Sequence, residues 1–159
     1  MTALKQGDKA PDFVLTDQNG HKVRLSDFKG RKLIIYFYPK AGTAGCTAQA
    51  RAVRDAKDAL SRAGVSVVGI SPDSVSTQKK FDEKEALTFP LLSDEDHHVA
   101  RSYGVWGEKS MYGKKFMGII RSSFLIGENG RVRRTWYKIS PKDTIPKAMK
   151  EIKSAQLDS

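Results

Sequence analysis

The run Leu33-Ile34-Ile35-Tyr36-Phe37-Tyr38 constrains this chain more than any other stretch. Its apolar side chains are continuous rather than alternating. A strand with one wet face alternates, so a continuous run reads as a strand covered on both faces, in a sheet with layers above and below it. The run is far shorter than the ~18 apolar residues that cross a bilayer. Pro39 stops the strand, because proline has no N–H to give to a ladder. Val65 to Ile70 reads as a second buried strand. Between the two, Ala50, Val53, Ala56 and Leu60 recur at helical spacing. This predicts a helix from Cys46 to about Arg62, with Gly64 suited to its C-terminal cap.

The remaining elements follow from turn and cap signals. Phe13-Val14-Leu15 and Val23-Arg24-Leu25 flank Asn19-Gly20, a pair that accommodates the positive φ angles of a hairpin turn. Ser26 is suited to cap a short turn ending at Gly30. Ser71-Pro72-Asp73-Ser74 opens a helix to about Glu85. Phe89 to Leu92 reads as a short strand at an edge or a strand start, because of Pro90. Asp94 to Tyr103 reads as a short helix. Gly118 to Ile126 and Arg131 to Lys138 read as a hairpin, and Pro141 to about Ala155 as a terminal helix. No linker or repeat divides the chain, so residues 1–159 are expected to form one domain. The order predicts an α/β fold with a mixed central sheet flanked by helices and an N-terminal β-hairpin. That is the shape of a thioredoxin-like domain. Element order alone does not separate it from other α/β sandwiches.

Composition removes several function classes. There is one cysteine, Cys46, so neither an internal disulfide nor a cysteine-based zinc site can form. The start MTALKQGDKAPDF has no apolar core of a leader and no small-residue cleavage site, and the free thiol suits a reducing compartment. A cytoplasmic location is expected. Lys and Arg number 28 against 18 Asp and Glu, a net charge of +10. The excess is uneven: +7 over 1–80, −5 over 81–108 and +8 over 109–159. The densest basic stretch is Arg131-Val132-Arg133-Arg134. Such charge attracts nucleic acid or anionic membrane in some proteins. No recognition motif accompanies it, so a solvated surface is the reading kept, with no nucleic-acid or membrane partner. His97-His98 beside Asp94, Glu95 and Asp96 fits no common metal-ligand spacing. It reads as an acidic helix start.

Cys46 stands where a buried strand gives way to a helix. Unpaired N–H groups and the positive end of the helix dipole favour a thiolate there. A small buried hydrophobe is the alternative. The stretch Pro39-Lys40-Ala41-Gly42-Thr43-Ala44-Gly45-Cys46 decides between them, because it matches the pattern P-x-x-x-T-x-x-C. Further matching stretches are Gly7 to Phe13, Gly69-Ile70-Ser71-Pro72-Asp73, Phe89 to Asp94, Tyr103 to Lys109, Met111 to Lys114 and Arg121 to Ile126. Over about residues 5–155 the chain resembles the peroxiredoxins, in particular the bacterioferritin-comigratory or peroxiredoxin Q group.

The resemblance implies a peroxidase that needs no cofactor. Cys46 would be the nucleophile, becoming a sulfenic acid on attacking a hydroperoxide. Thr43 would hold the peroxide, and Arg121 would place a permanent cation beside sulfur and substrate. Pro39 would shield the pocket, and the amides of Gly45 and Cys46 would donate to substrate oxygens. Taken singly, Thr43 also reads as a helix cap and Arg121 as a surface residue on a strand. Gln49, Arg54 and Asp55 match the family's helix pattern, with Val53 in place of phenylalanine.

The chain departs from that family at two further positions. Many relatives carry a second cysteine five residues after the first, where this chain has Arg51. An external thiol must then reduce the sulfenic acid. Thioredoxin, glutaredoxin or a low-molecular-weight thiol are the candidates, with the chain a monomer or weak dimer. Arg51 is also expected to add positive potential near Cys46. Ala44 stands where relatives often have proline. A thiol–disulfide oxidoreductase would need C-x-x-C, which is missing. A basic nucleic-acid-binding module on the same fold is the other reading.

Overall fold

The structure is a computed structural model and describes residues 3–157. The central sheet has seven strands: β1 (Val14–Thr16), β2 (Lys22–Arg24), β3 (Lys32–Phe37), β4 (Val65–Ser71), β5 (Leu91–Ser93), β8 (Ser122–Ile126) and β9 (Val132–Trp136). They lie in the order β2-β1-β5-β4-β3-β8-β9. β3, β4 and β5 run parallel, and the other pairings are antiparallel. The helices are α1 (Ala44–Arg62), α2 (Val75–Glu85), α3 (His98–Ser102) and α4 (Thr144–Leu157). β6 (Trp106–Met111) and β7 (Lys114–Ile119) form a separate two-stranded hairpin.

The continuous apolar run of β3 is explained by two cores. Ile34, Tyr36 and Tyr38 point to one face, where they meet Cys46, Ala50, Val53 and Leu60 of α1, Phe81 of α2 and Ala148 and Ile152 of α4. Leu33, Ile35 and Phe37 point to the other face, onto Phe124, Val99, Ala100 and Tyr103. Each successive side chain therefore needs to be apolar.

Several boundaries differ from the sequence reading. α1 begins at Ala44, so Cys46 lies inside the first turn instead of opening the helix. Ser26 is not a cap; Asp27 accepts from the Arg24 amide at 2.9 Å in the short turn Leu25–Phe28. The strand after Phe89 begins at Leu91 and is interior, between β1 and β4. Pro90 serves as its start, giving its carbonyl to the Gly69 amide. The helix expected over Asp94 to Tyr103 shortens to α3, because Asp94 accepts from the Val99 and Ala100 amides and His97 takes a left-handed conformation. The strand expected over Gly118 to Ile126 breaks in two at Ile120-Arg121. There the Ile120 amide turns to the Val105 carbonyl. The terminal helix is preceded by a short 3-10 turn, Pro141–Asp143.

Candidate active site

The loop from Pro39 to Thr43 joins β3 to α1 and is tied to α2's approach. The Ala41 amide donates to Asp73 Oδ2 at 2.8 Å, and the Ser71 hydroxyl donates to the same oxygen at 2.7 Å. Gln78 donates to Ser71 Oγ and accepts from the Tyr38 hydroxyl at 2.5 Å. This chain of contacts links the strand end, the loop and the start of α2. Gly42 supplies a φ of 84°, a left-handed conformation that glycine adopts without strain.

Cys46 sits in the first turn of α1 with only 1% of its surface exposed. The first backbone bond of the helix runs from the Thr47 amide to the Thr43 carbonyl at 2.9 Å. The amides of Gly45 and Cys46 lie ahead of that ladder, where helix geometry offers them no acceptor. Thr43 occupies the cap position but makes no side-chain cap bond. Its hydroxyl instead donates to the Lys40 carbonyl at 2.9 Å, which leaves its lone pairs to accept. Pro39 is half-buried between Tyr38 and the loop.

Arg121 lies between β7 and β8, not on a strand, one residue before Ser122, which pairs with Phe37 at the end of β3. Its backbone is held by the Ile139 amide, which donates to its carbonyl at 2.9 Å. Nη2 donates to Cys46 Sγ at 3.4 Å, and Nη1 donates to Gln49 Oε1 at 2.5 Å. Gln49 is fully buried and passes the contact on, donating to Thr144 Oγ1 at 2.8 Å. Thr144 in turn donates to the Ser140 carbonyl. A side chain on Gly45 would press on Arg121 Nη2 at 3.3 Å and on Pro141 at 3.5 Å, so glycine leaves room for the guanidinium. Tyr36 and Tyr38 lie on the Cys46 side, with ring centroids 5.5 Å apart. Burial raises both phenols well above the ordinary tyrosine range, and the neighbouring sulfur adds to this. They stay neutral and present an apolar wall.

The structure therefore brings Cys46 and Arg121 together, with Gly45 against them and Thr43 and Pro39 on the adjoining loop. It does not place Arg51 there. Arg51 Nε pairs with Glu85 Oε1 at 2.6 Å, so its charge is spent on α2. Arg54 pairs with Asp55 and donates to the Glu85 carbonyl. Gln49 was legible only as a motif match, yet it stands three residues after Cys46, on the same helix face. The contributions of Thr144, Pro141 and Lys109 were not anticipated. Lys109 donates to the Ile119 carbonyl at 2.8 Å, and its burial and the Arg121 cation hold its ammonium below the ordinary lysine range. Away from the site, the ligand atoms of Asp94, Asp96 and His98 lie within 4.8 Å of one another. Among the described residues no helix is long and apolar enough to cross a membrane.

The chain is similar to known proteins in sequence and in fold. The AhpC/TSA family matches residues 6–135. Peroxiredoxin Bcp of Escherichia coli K12 is 53% identical over 136 residues, 86% of this chain and 87% of that protein. The bacterioferritin comigratory protein of Xanthomonas campestris, in a trapped intermediate and ligand complex, superposes with a TM-score of 0.85 at 34% identity. That match covers 90% of this chain and 91% of the other. A cysteine-to-serine variant of PrxQ from Xylella fastidiosa gives a TM-score of 0.92 at 28% identity, covering 98% and 99%. The chain belongs to the AhpC/TSA family and, within its thioredoxin-fold peroxiredoxins, to the Bcp and PrxQ group, as a variant with a single cysteine.

Proposed function

We propose that this chain reduces hydrogen peroxide and organic hydroperoxides through Cys46 alone. The observation that carries the reading is the Arg121 guanidinium donating to Cys46 Sγ at 3.4 Å in the first turn of a helix. A permanent cation and the unpaired amides of a helix start both stabilise negative charge that develops on oxygens held beside the sulfur. The sulfur attacks the terminal oxygen of R–O–O–H, the O–O bond breaks, and the electron pair leaves with RO⁻, which takes a proton to become ROH. Sulfur is oxidised to the sulfenic acid. Thr43 accepts from the hydroperoxide O–H, while Arg121 and the amides of Gly45 and Cys46 donate to the oxygens as charge builds on them. Pro39 keeps bulk water off the pocket. The solved Xanthomonas relative is described in terms of alkyl peroxide reduction, which supports organic hydroperoxides as substrates.

The cycle then needs two external thiols. The first condenses with the sulfenic acid to a mixed disulfide and water, and the second releases Cys46 as a disulfide forms between the reductants. Thioredoxin, glutaredoxin or a low-molecular-weight thiol fits this role. We place the chain in the cytoplasm, acting as one domain and as a monomer or weak dimer. The test is a stoichiometric peroxide treatment followed by mass spectrometry. Addition of a single oxygen at Cys46, reversed by thiol and lost in Cys46→Ser, is expected. An unmodified chain would overturn the reading.

A further inference from the structure

The β6–β7 hairpin projects from the sheet next to Arg121, and its two faces differ. Directly opposed residues of an antiparallel pair share a face. The pairs Gly107↔Gly118, Lys109↔Phe116 and Met111↔Lys114 therefore lie on one side, and Glu108↔Met117 and Ser110↔Lys115 on the other. The first side is the one turned toward Cys46. Lys109 lies over Gly118 on it, and its ammonium donates to the Ile119 carbonyl at 2.8 Å, two residues before Arg121. Ile120, which precedes Arg121, covers Gly107. The base of the hairpin is held down where Trp106 stacks on His97 at 3.8 Å.

Five large apolar side chains are exposed among the described residues, and Met111, Tyr112, Phe116 and Met117 all belong to this hairpin. Such a concentration marks an interaction surface. On the side facing Cys46, Phe116 and Met111 continue outward from Ile120, accompanied by Lys109 and Lys114. The hairpin's one carboxylate, Glu108, is on the other side, paired with Lys115 at 3.6 Å. Cys46 is the only thiol in the chain, so its recycling requires another molecule to approach from outside.

We propose that this side of the hairpin is the docking surface for the protein thiol that reduces oxidised Cys46, a partner whose thiol-bearing face is apolar with an acidic rim. The proposal rests on the peroxidase reading above. A second copy of the chain fits poorly, since it would bring Lys109 and Lys114 against a molecule of net charge +10. A small thiol needs no such surface.

The test is the double variant Phe116→Ser with Lys114→Glu, assayed in three arms. Oxidation by hydrogen peroxide, reduction by dithiothreitol, and turnover with reduced thioredoxin or glutaredoxin are measured separately. The first two rates are expected to stay unchanged. The kcat/KM for the protein reductant is expected to fall about tenfold or more, with a weaker salt dependence than the parent shows. A protein-reductant rate kept within about twofold would overturn the proposal, as would an equal loss with dithiothreitol. So would turnover by small thiols alone, or a wild-type dimer in sedimentation that the variant loses. If peroxide fails to oxidise wild-type Cys46 in the first arm, the peroxidase reading itself falls and takes the docking surface with it.

Discussion

Arg121 meets Cys46 in one orientation because Gln49 holds its second nitrogen, and Gln49 is itself held by Thr144. A guanidinium on a flexible stem would otherwise spread over many positions. Arg121→Ala removes both cation and donor and is expected to slow the peroxide step by on the order of 10²–10³-fold. Gln49→Leu leaves Arg121 in place but unguided, and a smaller loss is expected, partly restored in Gln49→Glu. Thr43→Val is expected to slow the same step while the melting temperature holds. Stopped-flow oxidation checks all of these, and an unchanged rate would remove the residue from its role. A separate residue-scale constraint lies under the site. A methyl on Gly69 would meet the Tyr36 ring and hydroxyl at 2.9 Å, and Tyr36 is fully buried. Gly69→Ala is expected to cost about 1–3 kcal/mol in urea unfolding. Tyr36→Phe, which removes a buried hydroxyl that has no partner among the described residues, is expected to be neutral or stabilising and to relieve part of that loss.

At the scale of elements, the two helices flanking the loop are joined at Glu85. Its buried carboxylate accepts from Arg51, and its carbonyl accepts from Arg54. The position where many relatives carry a second cysteine thus serves here to fasten α1 to α2. The Arg51 guanidinium holds the Glu85 carboxyl below its ordinary range, so the folded chain binds that proton less tightly than the unfolded one. The pair's contribution is present above the ordinary carboxyl pKa and is lost as pH falls through the folded value. Glu85→Gln is therefore expected to unfold at lower denaturant than the parent at pH 7, with the gap closing as pH falls below about 5. A gap that persists at low pH would exclude the pair as its source. The strands and helices that build the central sheet were legible because their apolar residues recur with the period of the element, as in β3 and α1. The β6–β7 hairpin was not. It buries little, so it has no alternating pattern, and its turn at Tyr112-Gly113 carries only one residue that favours a turn. The site was legible as a motif on one loop plus a distant arginine. Gln49 and Thr144 were not, because their roles depend on α1 and α4 meeting across the core.

At the scale of the whole molecule, the question is what the positive excess does. The densest basic stretch is occupied within the fold. Arg131 donates to the Gly7 carbonyl, Arg134 pairs with Glu151 at 3.0 Å and lies over Trp136, and Arg133 packs beside Gly127. β9 sits at the edge of the sheet, and these contacts tie its arginines one by one to neighbouring groups of the fold. The charge that remains is spread over the surface and acts as a field, strongest at low ionic strength. Binding to a DNA duplex is therefore expected to be weak and unsaturable at low salt and absent at physiological salt, with Cys46→Ser unchanged in both respects. Fluorescence anisotropy across a salt series measures this directly. Saturable binding at physiological salt that is lost when Arg131 and Arg134 are both changed to alanine would instead assign β9 to nucleic acid, a role additional to the peroxidase chemistry.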